Sequence, residues 1–112
     1  MKDKKKILHI SLSPAEGGQE LFAVQLTQHF EQDGFESICV CRPGSFIENK
    51  LKEQNSKYIT LSGRDKFSLK NIRTLRKFIR ENNIEVIFVH RLMDLWLTYW
   101  MKRKFPHIKI IS

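Results

Sequence analysis

The chain has 112 residues, 41% hydrophobic and 29% charged, which is the composition of one soluble globular domain and excludes a disordered or fibrous chain. No stretch approaches the roughly 18 consecutive apolar residues of a membrane-spanning helix, and Met1-Lys2-Asp3-Lys4-Lys5-Lys6 lacks a signal-peptide pattern, so a cytoplasmic protein is expected. The net charge of +8 is one-sided, with 7 basic and 8 acidic groups in residues 1–56 against 13 and 4 in residues 57–112, and this suggests an anionic partner: a lipid headgroup surface, a phosphorylated ligand or a nucleic acid.

Residues 6–12, Lys-Ile-Leu-His-Ile-Ser-Leu, predict a short buried strand, and Ser13-Pro14-Ala15-Glu16-Gly17-Gly18 a tight loop after it. From Gln19 to about Gln32, Phe22, Leu26 and Phe30 recur every four residues with Ala23 beside them, so a helix with that apolar stripe is expected, stopped by Asp33-Gly34. Ser37 to Cys41 predicts a second strand, ended by Arg42-Pro43-Gly44. Cys39 and Cys41 alternate along one face of that strand, a poor placement for a disulfide, and read as small buried hydrophobes. Ser45 can cap a short helix carrying Phe46, Ile47 and Leu51, after which residues 57–61 predict a third strand closed by Ser62-Gly63.

Ser68 is placed to cap an amphipathic helix in which Leu69, Ile72, Leu75 and Ile79 share a face and Asn82-Asn83 mark the end. Residues 85–90, Glu-Val-Ile-Phe-Val-His, are apolar on both faces, as a central parallel strand must be. A helix from about Met93 to Lys104 follows, with Trp96, Tyr99 and Trp100 at core-packing spacing; Phe105-Pro106 breaks it before a fifth strand at His107 to Ile111. Alternation of strand and helix throughout implies an α/β fold with a doubly wound parallel sheet.

In such a sheet ligands bind beyond the carboxyl ends of the strands, which directs attention to the loops after the first and fourth. After the first strand, Gly17-Gly18 allows close backbone approach to a ligand at a helix N-terminus, and Glu20 falls in the first helical turn, where an acid also simply complements the helix dipole. The spacing is neither G-x-G-x-x-G nor a P-loop. After the fourth strand stands His90-Arg91, an imidazole and a guanidinium suited to a polar or anionic ligand. His9 reads as a satisfied core histidine, His29 and His107 as surface residues. Arg73, Arg76, Lys77 and Arg80, with Lys70, form a basic ridge opposite the apolar stripe of their helix, either a solvated face or, with Arg64, Lys66, Lys102, Arg103 and Lys104, a contact for an anionic membrane. Nucleic acid has only charge in its favour, since zinc ligands, aromatic-basic strand motifs and a helix-turn-helix are missing from the sequence. A response-regulator-like module would need acidic residues where Ser11, Arg42 and His90 stand.

Together, Ile7-Leu8-His9-Ile10-Ser11, Gly17-Gly18 with Glu20, Asp33-Gly34-Phe35-Glu36, Arg42-Pro43-Gly44-Ser45, Gly63-Arg64, Leu75-Arg76-Lys77-Phe78-Ile79 and Phe88-Val89-His90 resemble the N-terminal domain of family 4 glycosyltransferases. The resemblance covers nearly the whole chain and implies a single partial Rossmann-like domain, residues 1–112, from the acceptor side of a GT-B fold whose C-terminal, donor-holding domain is absent. It implies a retaining transfer of sugar from a nucleotide-sugar donor to a glycan or lipid-linked acceptor in cell-surface polysaccharide or lipopolysaccharide synthesis, at the inner face of the membrane, with no metal or other cofactor. Gly17 and Gly18 match the loop that faces the donor phosphates and acceptor, and His90 the histidine that hydrogen-bonds the donor sugar. The family's front-face attack, assisted by the leaving phosphate, leaves no nucleophile or general base to assign. This portion is expected to be inactive alone. The alternative is a non-catalytic α/β module for an anionic partner.

Overall fold

The computed structural model describes residues 5–13, 17–61, 69–90 and 94–111. Among these residues nine elements alternate: β1 (Lys6–Ile10), α1 (Gly18–Gln32), β2 (Glu36–Cys41), α2 (Phe46–Glu53), β3 (Lys57–Thr60), α3 (Leu69–Asn82), β4 (Val86–Val89), α4 (Leu95–Lys104) and β5 (Lys109–Ile111). The strands form one sheet in the order β3-β2-β1-β4-β5, every pairing parallel. The chain therefore winds outward from β1 through β2 to β3, then returns to the other side of β1 and runs outward again. The direction of winding changes between β1 and β4, and in sheets of this kind the crevice that receives ligands lies at the carboxyl ends of the strands where it does.

Side chains alternate across the sheet, and the two faces differ in kind. Leu8, Ile10, Ile38, Val40, Ile87 and Val89 form the larger core with Ile72, Leu75 and Ile79 of α3 and Leu97 and Met101 of α4. The opposite face buries smaller groups: Cys39 and Cys41 meet Val24 of α1 and Ile47 and Leu51 of α2. Both thiols are free and buried; desolvation pushes Cys41 up to about 12 and Cys39 higher still, so both are inert at neutral pH.

The helix ends follow from local chemistry. Ser45 Oγ accepts from the Glu48 N–H at 3.2 Å, and the Glu48 carboxylate reaches back to the Gly44 N–H at 2.7 Å, a capping box displaced by one residue. α1, α2 and α3 all stop in the same way, with a left-handed residue just past the helix: Gly34, Asn55 and Asn83, at φ 92°, 58° and 52°. In each case the next N–H closes onto a carbonyl five residues back, Phe35 on Phe30, Ser56 on Leu51 and Ile84 on Ile79, which satisfies otherwise orphaned acceptors.

Three helices differ from the sequence expectation. α1 buries Glu20, Ala23, Val24 and Thr27, whereas Phe22 is 53% exposed and Leu26 and Phe30 are only half-buried. Small side chains let α1 lie close over the cysteine face, and its aromatic residues are displaced to the flank. In α3 Leu69 is exposed while Ile72, Leu75 and Ile79 are buried, because Leu69 opens the helix beyond the reach of the sheet. Tyr99 is also exposed, in contrast to the expected packing of the α4 aromatics, while Trp96 and Trp100 pack against the core edge.

Candidate functional site

The start of α1 and the end of β4 converge at the β1/β4 crevice. Gly17 is the N-cap of α1 and provides no side-chain cap, which leaves first-turn N–H groups for a ligand. A Cβ on Gly17 would lie 3.2 Å from Glu20 Oε1, whereas one on Gly18 would meet nothing within 4 Å. Close packing at Gly17 is thus internal, against the Glu20 carboxylate, which is itself buried. Gly18 borders open space, as a ligand-facing glycine would.

His90 is joined to both flanking elements. Its backbone N–H donates to Ile10 O at 3.1 Å, and its carbonyl accepts from Gln19 Nε2 at 2.7 Å. The second bond ties the α1 start to the end of β4. On the far side of the crevice, the Asp94 carboxylate, just ahead of α4, accepts from the Leu12 N–H at 3.1 Å. Gln19 and Asp94 were not distinguishable in the sequence, since each acts across more than 70 residues.

The largest departure concerns His9. It is fully buried, as expected of a core histidine, but its partners make it part of the site. His9 Nδ1 lies 3.1 Å from His90 Nε2, and His9 Nε2 lies 2.8 Å from Ser37 Oγ. Phe30 of α1 and Phe88 of β4 flank the His9 ring at 5.5 and 5.9 Å between centroids. Phe22 meets His90 edge-on at 6.1 Å, so the displaced aromatics of α1 enclose the histidine pair. Burial holds His9 down at about 3, with a smaller contribution from His90, and holds His90 at about 4; both imidazoles are neutral at pH 7.

Arg91 is outside the described residues, as are Arg64, Lys66 and Ser68. Arg73, Lys77 and Arg80 stand exposed along α3 with Lys70. Arg76 does not join them freely: it is half-buried, and its Nη2 donates to Trp100 O at 3.0 Å, fastening α3 to the end of α4. A cavity of about 340 Å³ opens at the opposite end of the sheet, lined by Glu31, Phe35, Glu36, Ser37, Asn55 and Lys57. Its Glu36 is already paired with Lys57 at 2.6 Å and Lys6 at 3.7 Å, and it lies at the amino ends of the strands, away from the crevice. Among the described residues no cluster of three or more His, Cys, Asp or Glu could hold a metal.

Residues 16–112 match the sequence pattern of Glycosyltransferase Family 4. The chain belongs to this family. Its fold is similar to that of a glycosyltransferase from Rickettsia africae ESF-5, with a TM-score of 0.78 at 18% identity over 97% of this chain and 29% of that one. It is likewise similar to MurG from Acinetobacter baumannii, with a TM-score of 0.71 at 13% identity over 96% of this chain and 34% of MurG. No curated protein sequence matches. This glycosyltransferase family 4 chain therefore spans about a third of the length of either structure, and the likeness identifies a Rossmann-like unit of the GT-B type. No helix among the described residues of the family 4 chain is long and apolar enough to cross a membrane.

Proposed function

We propose that this chain is the acceptor-side N-terminal part of a retaining glycosyltransferase that moves a sugar from a nucleotide-sugar donor to a glycan or lipid-linked acceptor in cell-surface polysaccharide or lipopolysaccharide synthesis. The observation that carries the reading is the meeting of the Gly17-Gly18 helix start with His90 at the β1/β4 crevice of a family 4 chain. In it, Gly17 and Gly18 let donor phosphates and acceptor approach the α1 N-terminus, where the helix dipole favours negative charge. His90 hydrogen-bonds the donor sugar, and Arg91, next in the chain, adds a cation for the same ligand. Glu20 stands behind the glycine loop. No resident metal or cofactor enters this reading, and no side chain of this portion acts as nucleophile or general base.

The test uses the protein that carries this chain, incubated with labelled nucleotide sugars such as UDP-glucose and GDP-mannose and a membrane extract as acceptor source. Labelled glycan or lipid-linked product is expected. Replacing His90 with Ala should lower kcat/KM about 10- to 100-fold, the effect of removing a partner from a desolvated polar group. An undiminished rate in His90→Ala would remove the histidine from the site.

The exposed cations of α3 support a second feature of the reading, work at an anionic membrane surface on the cytoplasmic side. Each basic residue near such a surface contributes on the order of 1 kcal/mol. The triple change Arg73→Gln, Lys77→Gln, Arg80→Gln is therefore expected to weaken sedimentation with phosphatidylglycerol vesicles about 10- to 100-fold. Arg76→Gln should leave vesicle binding nearly unchanged and instead loosen the α3–α4 contact. Equal binding by the triple variant and the unaltered protein would exclude the ridge, and salt-sensitive binding to DNA with none to vesicles would favour the nucleic-acid alternative.

A further inference from the structure

The Ser37, His9 and His90 side chains form a single file of hydrogen bonds from β2 across β1 to the end of β4. Two proton arrangements satisfy both contacts when the imidazoles are neutral. In one, Ser37 donates to His9 Nε2, His9 Nδ1–H donates to His90 Nε2, and His90 carries its proton on Nδ1. In the other every bond is reversed: His90 Nε2–H donates to His9 and His9 Nε2–H donates to Ser37, which leaves His90 Nδ1 as a bare acceptor.

Ser37 decides between them. It is 1% exposed, and its side chain has no hydrogen-bond partner other than His9 among the described residues. In the reversed arrangement the Ser37 O–H would be left without a protein acceptor among the described residues, at a cost of up to about 1–3 kcal/mol. In the first arrangement the Ser37 O–H, both His9 nitrogens and His90 Nε2 are all satisfied. His90 Nε2 is occupied by His9, so Nδ1 is the ring nitrogen left for a ligand.

We propose that His9 is a positioning residue which, with Ser37 behind it, fixes His90 in the Nδ1–H tautomer, so that His90 meets the donor sugar as a hydrogen-bond donor to one of its oxygens. This rests on the glycosyltransferase reading for the identity of the ligand, but not for the tautomer. The pair is also held in orientation: Phe30, Phe88 and Phe22 leave little room for either ring to turn. A histidine so held presents its proton without first reorganising, which is how a buried neighbour assists a residue that touches substrate.

The tautomer is read directly from imidazole nitrogen chemical shifts of the protein labelled with nitrogen-15 histidine, at pH 7.5 and without ligand. His90 should show a protonated-type Nδ1 and an unprotonated-type Nε2, and Ser37→Ala should move both toward the mixture of free histidine. Ser37→Ala removes one oxygen and keeps the backbone, so it leaves the His9–His90 contact itself in place. A His90 protonated on Nε2, or a spectrum indifferent to Ser37→Ala, overturns the relay. With a nucleotide sugar as substrate of the complete protein, Ser37→Ala should raise KM about 3- to 10-fold, the size of one weakened hydrogen bond, and change kcat less; Ser37→Thr, which retains the hydroxyl, should restore it. A tautomer that shifts while KM stays constant keeps the relay but overturns the assignment of His90 to the sugar. Failure of the device and failure of the glycosyltransferase reading are thereby distinguished.

Discussion

Taking the protein from pH 7.5 to pH 5 is expected to lower its folding stability by about 2–4 kcal/mol, through His9 and His90. Both are held well below the ordinary 6.5, His9 to about 3 and His90 to about 4, chiefly by burial. The native state therefore stays unprotonated across this range, while the unfolded chain takes up a proton on each ring once the pH falls below about 6.5. Protons favour the state that binds them, so stability declines on acidification, by up to about 1.4 kcal/mol per pH unit for each histidine. The decline ends only when the native rings themselves protonate, near pH 3–4.

The groups facing the pair are Phe22 and Phe30 of α1, Ser37 and Cys39 of β2 and Phe88 of β4. Glu36 is held below its ordinary 4.5, first by the hydrogen bond from Lys57, so its contribution is lost only at lower pH. Urea unfolding at pH 7.5, 6.5, 5.5 and 5 measures the effect, with a constant m-value as the sign that two-state unfolding persists. His9→Phe should about halve the slope. A flat profile between 6.5 and 5 would mean that the imidazoles are hydrated in the native state, contrary to the enclosure described.

Leu75→Ala is expected to destabilise the fold by about 2–5 kcal/mol, the range for deleting a buried leucine side chain from a close-packed core. Leu75 is fully buried in the larger core that includes Leu8, Ile10 and Ile87. Leu69→Ala, six residues earlier and on the stripe that helical spacing suggested, should stay within about 0.5 kcal/mol, because Leu69 is 68% exposed. Chemical denaturation of both variants provides the comparison. Equal losses would show that Leu69 is covered in solution.

The sequence carried the strand and helix alternation, the doubly wound class, the capping by Ser45 and the stops at Gly34 and Asn83. Each is encoded within a few residues, by hydrophobic period, by a hydroxyl at a helix start or by a residue that tolerates positive φ. Family membership was legible too, from short motifs in a set order.

The tertiary structure alone decided which face of α1 is buried, because Ala23, Val24 and Thr27 match the small cysteine face of β2 whereas the more hydrophobic Phe22 and Leu26 do not fit beneath the helix. It also withdrew Arg76 from the basic ridge through its bond to Trp100. Above all it joined His9 to His90, 81 residues away, and to Ser37, 28 residues away. That contact follows from strand order and register, which put β1 between β2 and β4 with His9 opposite Phe88. Local pattern says that a residue is buried; only the pairing of distant strands says against what.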